Sequence, residues 1–232
     1  SIDIEHLCLN FEPNGEFPAH EPNPADPENL ETLKEKVVEE GADIGFAYDG
    51  DADRTVAVLS DGRVMDGSQM IGALAHHILG GKSEEGECAV SMNTSRQVLD
   101  YLRSNDADPL IVPVGHAKVK RIMQADENIS FAGEESGHYF YRNFFCCESS
   151  LLTTLYLLKM VETGELRSFL EGLPPVWAKN ETEPTFPFAK RKEAIEACRQ
   201  VACEGIRKFG PPEEIMCERE WNIKRKCSKE DV

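Results

Sequence analysis

Amphipathic segments and short apolar segments alternate along much of this sequence, and that order restricts the possible fold more than any other feature. Helical periodicity occurs at 69–79, 96–104, 116–124 and 149–161, and strand-like segments lie between these at 88–92, 109–114 and 129–133. Strands that are separated by helices usually form parallel sheets covered by those helices. The part of the chain that contains these segments is therefore predicted to form an α/β unit.

A shorter pattern of the same kind precedes it. Apolar residues recur at helical spacing from Leu30 to Val38, and Gly41 stands where a C-terminal helix cap belongs. Residues 42–49 predict a buried strand, and residues 55–60 predict a second strand that opens a hairpin. These elements predict a second, smaller unit at the N-terminal side.

We therefore expect an α/β fold with two consecutive α/β units, whose mixed sheets are mostly parallel and covered by helices. A partial C-terminal element should follow them. The predicted bounds are 1–66 for the first unit, 67–174 for the second, and 175–232 for a linker and an incomplete or disordered tail.

Charge and cysteine content limit the partners and the compartment. The chain has 42 acidic and 25 basic residues, a net charge of −17, which argues against nucleic acid or an anionic membrane as partner. No apolar run approaches the roughly 20 residues of a membrane span, and no leader opens the sequence. None of the eight cysteines forms a C-x-x-C pair. We expect a cytoplasmic protein with free thiols.

Three carboxylates are concentrated after the first predicted strand. Asp49, Asp51 and Asp53 alternate with Gly50 and Ala52, and an arginine follows. Carboxylates this close repel one another unless a cation neutralises them, and hard oxygen ligands suit Mg²⁺. The spacing favours a metal loop over a solvated acidic turn.

Two other kinds of acidic loop share this spacing. A calcium-binding EF-hand loop needs Gly at position six and Glu at position twelve, where this chain has Arg54 and Ser60. A haloacid-dehalogenase-like phosphatase also places D-x-D after a buried strand, but with Thr or Val where Asp53 stands. The phosphatase stays open as an alternative.

A second polar cluster follows the last predicted strand. Glu134, Ser136 and His138 alternate, so an extended loop would project all three to one side. A carboxylate, a hydroxyl and an imidazole suit sugar hydroxyls and proton transfer. At another predicted strand-to-helix junction, His116 follows Gly115, and a helix N-terminus with a nearby imidazole is a reasonable phosphate site. An ordinary polar turn and a surface histidine are the alternatives.

Together these motifs resemble a known family. The segments DGDADR (49–54), GEESGH (133–138), VGH (114–116) and FPAHEPNPADPENL (17–30) are similar to those of the α-D-phosphohexomutases, in the family's order and spacing from about residue 9 to 173. That family comprises phosphomannomutases, phosphoglucomutases and phosphoglucosamine mutases with four domains around a cleft. This chain resembles the second and third domains.

The resemblance implies roles for individual residues. Asp49, Asp51 and Asp53 would hold Mg²⁺, and Arg54 would lie near the transferring phosphate. The residues Glu134, Ser136 and His138 would bind sugar hydroxyls, and His116 would serve in proton transfer or phosphate contact. The segment 93–96 would be another active-site segment, where some members have Lys instead of Asn93.

Departures from the family pattern limit what we expect of this chain alone. The family reacts through a phosphoserine in a T-x-S-H-N-P-like loop and a hexose 1,6-bisphosphate intermediate, but this sequence has no Ser-His pair. NETEP at 180–184 superficially resembles the family's phosphate-gripping loop, yet we interpret it as linker. We expect a hexose phosphate as substrate and negligible turnover by this chain alone, with a separate chain supplying the first and fourth domains. A non-catalytic remnant that binds Mg²⁺ and sugar phosphate is the alternative.

Overall fold

The N-terminal unit is a helix packed on a two-stranded antiparallel sheet. The computed structural model describes residues 4–80 and 86–174. Helix α1 (Glu31–Glu40) ends at Gly41, whose φ of 64° supplies the left-handed cap that the sequence predicts. Strand β1 (Ile44–Tyr48) pairs antiparallel with β2 (Thr55–Leu59).

Two features of this sheet differ from the predictions. Its strands pair antiparallel, so the expected parallel pairing is not found in the described part of the N-terminal unit. The prediction of a buried first strand is also wrong, because only Gly45 of β1 is buried and Tyr48 is exposed. Both strands of a two-stranded sheet are edge strands, so β1 has a neighbouring strand on one side only. Helix α1 packs on β1 at Gly45, which Val37 covers. The hairpin predicted after β2 is present as a single bridge between Val58 and Val64.

The second sheet has five strands in the order β4-β3-β5-β6-β7. Its elements are α2 (Gly67–Leu79), β3 (Glu87–Ser91), α3 (Arg96–Ser104), β4 (Leu110–Val112), α4 (His116–Ala125), β5 (Ile129–Gly133), β6 (Tyr139–Tyr141), β7 (Cys147–Glu148), α5 (Ser150–Thr163) and α6 (Glu165–Gly172). The β4-β3-β5 part is parallel, as predicted. Strands β6 and β7 add to it antiparallel and were not predicted, nor was α6. The mixed α/β class is thus confirmed, with less parallel pairing than expected.

Alternating side chains along β6 and the second half of β5 divide the core between the two faces of this sheet, while the register of β5 against β3 is irregular between Ile129 and Phe131. Phe131, Tyr139 and Tyr141 lie in the larger cluster, with α2, α3, α5 and α6. The intervening Ala132 and Phe140 lie in the smaller cluster on the opposite face, with α4. Burial of both faces explains why these strands have nearly continuous apolar sequences.

The parallel strands place their following loops at one edge. Strands β3, β4 and β5 end at Ser91, Val112 and Gly133. Loops 92–95, 113–115 and 134–138 therefore lie beside one another, at the carboxyl ends where open α/β sheets usually bind ligands.

Residues Ser1–Pro175 form one compact unit, so the predicted division at 66/67 lies inside it and stays a prediction. The predicted tail at 175–232 lies outside the described residues.

Among residues 4–80 and 86–174, no helix combines the length and apolar character that crossing a membrane requires. The four cysteines in these ranges, Cys8, Cys88, Cys146 and Cys147, are free thiols.

Candidate functional site

The three aspartates converge in the loop between β1 and β2. One carboxylate oxygen from each of Asp49, Asp51 and Asp53 lies within 4.8 Å of the other two. The loop turns at Ala52, whose N–H donates to the Asp49 carbonyl at 3.1 Å and whose φ is 57°. This left-handed conformation is uncommon outside Gly, Asn and Asp. The backbone therefore bends in the way that brings alternate side chains together.

Asp49 is the anchor of this loop. Its Oδ1 accepts hydrogen bonds from the N–H groups of Asp53 at 3.0 Å and Arg54 at 3.1 Å, and its Oδ2 accepts from Arg54 Nε at 2.6 Å. The side chain is only 5% exposed. Burial acts to raise the pKa of Asp49, but the hydrogen bonds from Arg54 outweigh it, so the pKa lies below its usual value. Asp49 is therefore a fixed negative charge.

Asp53 has the opposite electrostatic balance. Burial raises its pKa above the usual value; His138 opposes this, while the neighbouring Asp49 and Asp51 charges add to it. The Arg54 guanidinium pairs with Asp49 and also donates to Asn23 Oδ1 at 3.3 Å, so it does not neutralise the other two carboxylates directly. A hard divalent cation would relieve the remaining repulsion, and oxygen-only donors suit Mg²⁺.

The second cluster is a tight turn, so the prediction of an extended loop is wrong. Glu134 N–H donates to the His138 carbonyl at 2.9 Å, and Gly137 N–H donates to the Glu134 carbonyl at 3.0 Å. Gly137 has a φ of 96°, which an L side chain rarely adopts. The turn exists because β5 reverses directly into β6.

The tight turn nevertheless brings the three predicted side chains together. Ser136 Oγ and His138 Nδ1 share a hydrogen bond at 2.9 Å, and Glu134 Oε2 lies 3.9 Å from the same nitrogen. The Glu134 side chain is only 3% exposed. A buried carboxylate beside a hydroxyl and an imidazole gives this turn several hydrogen-bonding groups within a small area.

The two loops are in direct contact. His138 Nε2 lies 3.3 Å from Asp53 Oδ1, Thr55 N–H donates to the Gly137 carbonyl at 3.1 Å, and Arg54 forms a backbone bridge with His138. The structure therefore places the acidic cluster and the polar turn, which are some 80 residues apart in sequence, in one site.

His116 adjoins this site from the start of α4. The preceding Gly115 N–H donates to Glu134 Oε1 at 2.5 Å, which ties the helix to the turn. The ring centroids of His116 and His138 are 6.4 Å apart. His116 itself is 61% exposed, and its nearest carboxylate is Glu148, a residue that the sequence patterns did not single out.

The segment 93–96 also reaches the turn through its neighbours. Ser91 Oγ accepts from Glu135 N–H at 3.3 Å, and Ser95 N–H donates to Ser68 Oγ at 2.7 Å. Ser68 in turn donates to the Glu135 carboxylate. Asn93 lies exposed on this segment, and its place in the site stays a prediction.

Helix α5 supports the aspartate loop and the end of β1 through hydrogen bonds. Ser150 Oγ donates to the carbonyl of Ala52 at 2.7 Å, and Tyr48 and Thr154 share a hydrogen bond between their hydroxyls at 2.7 Å. Sequence patterns did not indicate either contact, since their partners are about a hundred residues apart.

Comparisons with family models and with known proteins all indicate one family. Residues 1–62 match the alpha/beta/alpha domain II of the phosphoglucomutase/phosphomannomutase family, and residues 66–176 match its domain III. A phosphoglucosamine mutase of Campylobacter concisus is 30% identical over 89% of the chain and 47% of that protein. A phosphomannomutase of Escherichia coli is 30% identical over 68% of the chain and 34% of that protein.

A solved structure gives the same result. The crystal structure of a phosphoglucomutase/phosphomannomutase family protein from Burkholderia thailandensis superposes with a TM-score of 0.63 and 31% identity, over 70% of this chain and 35% of that one. The chain thus spans less than half the length of these relatives. With both domain matches in the family's order on one continuous fold, the chain belongs to the phosphoglucomutase/phosphomannomutase family, whose second and third domains it contains.

Proposed function

We propose that this chain forms the metal-binding and sugar-binding part of a hexose phosphate mutase, an isomerase that moves a phosphoryl group between the 1- and 6-positions through a hexose 1,6-bisphosphate. The observation that carries the proposal is the contact of the aspartate cluster with the GEESGH turn, at Asp53 and His138. A mutase needs a phosphoryl site and a sugar site side by side, and the two loops meet that requirement.

The aspartates form the phosphoryl side of the site. Asp49, Asp51 and Asp53 would hold Mg²⁺, which when bound helps to neutralise phosphoryl oxygens. Arg54 lies beside them, oriented by Asp49 and Asn23. Positioning and charge neutralisation dominate phosphoryl transfer, so a fixed guanidinium at this point is a suitable phosphate contact.

The turn forms the sugar side. Glu134 accepts hydrogen bonds from sugar hydroxyls, while Ser136 and His138 can donate or accept. His116 lies close enough to this turn to contact a phosphate or to exchange a proton with the reacting hydroxyl. Because the residues of the turn bind hydroxyls rather than phosphate, the sugar can present either end to the aspartate loop.

The phosphoserine is the one reactive group that these residues do not supply. We propose that it comes from outside this sequence, on a separate chain or domain, and that these 232 residues alone turn over hexose phosphates negligibly. The separate chain or domain that carries the phosphoserine would also supply the remaining phosphate contacts, which the family makes with its fourth domain.

The phosphatase alternative finds no support in the loop geometry. A haloacid-dehalogenase-like enzyme would use Asp49 as a nucleophile and has Thr or Val where this chain has Asp53, a third carboxylate with an oxygen within 4.8 Å of those of Asp49 and Asp51. If the chain released phosphate from a hexose phosphate and Asp49→Asn abolished that release, the phosphatase would be favoured instead.

Binding of a hexose phosphate tests the proposed function. We expect glucose, mannose or glucosamine 6-phosphate to bind the full chain weakly in Mg²⁺, and His138→Ala to reduce that affinity about 3–10-fold, since one hydrogen bond contributes about 0.5–1.5 kcal/mol. Calorimetry measures both, with His6→Ala, an exposed histidine of the N-terminal segment, as control.

Turnover separates the mutase from the non-catalytic alternative. Interconversion of hexose 1- and 6-phosphates should appear when a second chain is added that contains the first domain, with its phosphoserine, and the fourth domain. Binding without any turnover in such a mixture would favour the non-catalytic module, and no binding at all would contradict both.

The Ser150 hydroxyl makes a separate prediction about the metal. Ser150→Ala leaves every carboxylate in place but frees the Ala52 carbonyl, so Mg²⁺ affinity should fall about 3–10-fold, the value of one hydrogen bond. Calorimetric Mg²⁺ titration measures it. Ser168→Ala, which removes a hydroxyl bonded only to its own helix at Gly164, is the control. Equal affinities in both variants would show that α5 does not organise the loop.

A further inference from the structure

Glu148 is a buried carboxylate, one oxygen of which accepts no hydrogen bond from the part of the chain that the structure describes. It lies on β7, opposite Phe140 of β6, and its side chain is only 7% exposed. Its Oε2 lies 2.5 Å from Lys120 Nζ. Its Oε1 is fully buried and has no hydrogen-bond partner among residues 4–80 and 86–174, although His116 Nδ1 is 3.4 Å away. A buried, unsatisfied acceptor is costly, which calls for a partner close by.

Helix α4 presents that partner. His116 and Lys120 are four residues apart, so they lie on the same side of the helix, one turn above the other. Lys120 pairs with the other oxygen of the same carboxylate, Oε2, and leaves Oε1 facing His116. The other nearby carboxylate, Glu134, already accepts from Gly115 N–H. Nδ1 of the exposed His116 ring already lies 3.4 Å from Glu148 Oε1, so rotation of this ring would complete a hydrogen bond between them.

We propose that Glu148, held by Lys120, is a positioning residue that accepts the Nδ1 proton of His116 and so leaves the Nε2 lone pair for the site. An imidazole whose Nδ1–H is bound by a carboxylate has a defined tautomer and ring orientation. The use of Nε2 in proton transfer rests on the proposed mutase function. The Glu148–His116 pairing itself does not, because it depends only on residues of this chain.

The tautomer of His116 tests the pairing directly. Long-range ¹⁵N–¹H correlation spectra of the full chain, recorded without metal or sugar at a pH where the ring is neutral, distinguish Nδ1–H from Nε2–H. We expect His116, assigned with His116→Gln, to carry its proton on Nδ1. In Glu148→Ala, which removes the acceptor, the population should move to the Nε2–H form that predominates in water, and in Glu148→Gln, which keeps a weaker neutral acceptor, it should move less.

A matched control is available at another carboxylate. His77 Nδ1 lies 2.7 Å from Glu165 Oε2, so Glu165→Gln should change the His77 signals and leave those of His116 unchanged. An Nε2–H form of His116 in the unmodified protein would overturn the proposal. So would an unchanged tautomer in folded Glu148→Ala. If both variants unfold, the spectrum of the unmodified chain still decides. Failure of hexose phosphate binding would refute the proposed function and leave this result intact.

Discussion

Asp51→Asn is expected to lower the affinity of the chain for Mg²⁺ by at least about 100-fold, because loss of even an outer-shell partner of a metal site costs about 10–100-fold. Both oxygens of Asp49 already accept hydrogen bonds, and Asp53 lies against His138. Asp51 is exposed, and one of its oxygens lies within 4.8 Å of the other two candidate ligands. Asn keeps the shape of the side chain but removes the charge that a divalent cation needs.

Calorimetric titration of the full chain with MgCl₂ measures this effect. Asp61→Asn is the matched control, since Asp61 is an exposed aspartate of a neighbouring turn that pairs with Arg63 at 2.6 Å and lies outside the cluster. Similar Mg²⁺ affinities for the two variants would show that the aspartate loop is only an acidic turn.

Gly67→Ala is expected to destabilise the protein by about 3 kcal/mol and to displace the GEESGH turn, since overpacking against well-packed atoms costs typically 1–3 kcal/mol, occasionally more. Gly67 begins α2 directly beside Glu135, and a Cβ here would lie under 3.0 Å from the backbone of Glu135. Backbone atoms cannot rotate away as a side-chain end can. The new methyl group must therefore move either the helix start, which is fixed by the Asp66–Gln69 capping box, or the turn.

Urea unfolding measures the loss of stability, and amide chemical shifts of residues 134–138 report the displacement of the turn. Gly15→Ala adds the same methyl group where nothing lies within 4 Å, so it should change neither. A Gly67→Ala protein as stable as Gly15→Ala, with unchanged shifts in the turn, would show that this close approach is not required.

Elements with strong local signals were predictable from the sequence. Helix α1 has apolar residues at helical spacing and a glycine cap, and α3 has Ser95 as an N-cap whose hydroxyl accepts from Val98 N–H at 3.4 Å. The three parallel strands are apolar because both faces of the sheet are covered. The short strands β6 and β7 lack such signals, since their pairing depends on a turn centred on Gly137 and on contacts that form only in the folded chain.

In the candidate site, too, the local features were predictable from the sequence and the long-range contacts were not. The convergence of the aspartates is a local property of alternating carboxylates and small residues, so spacing alone predicted it. The supporting contacts of Ser150 and Glu148 join residues 98 and 28–32 positions apart. No periodicity encodes these contacts, and only the fold brings their partners together. The roles assigned to the site residues remain predictions for the experiments above.

The central claim is that one bound cation lies against the GEESGH turn, and paramagnetic broadening tests it most directly. Mn²⁺ accepts the same oxygen ligands as Mg²⁺. Trace Mn²⁺ added to the full chain should broaden the signals of Asp53, Gly137 and His138 first and leave those of His77 sharp, and Asp51→Asn should abolish this pattern. Sharp signals from His138 while other regions broaden, or the same broadening in Asp51→Asn, would contradict a single site shared by the two loops.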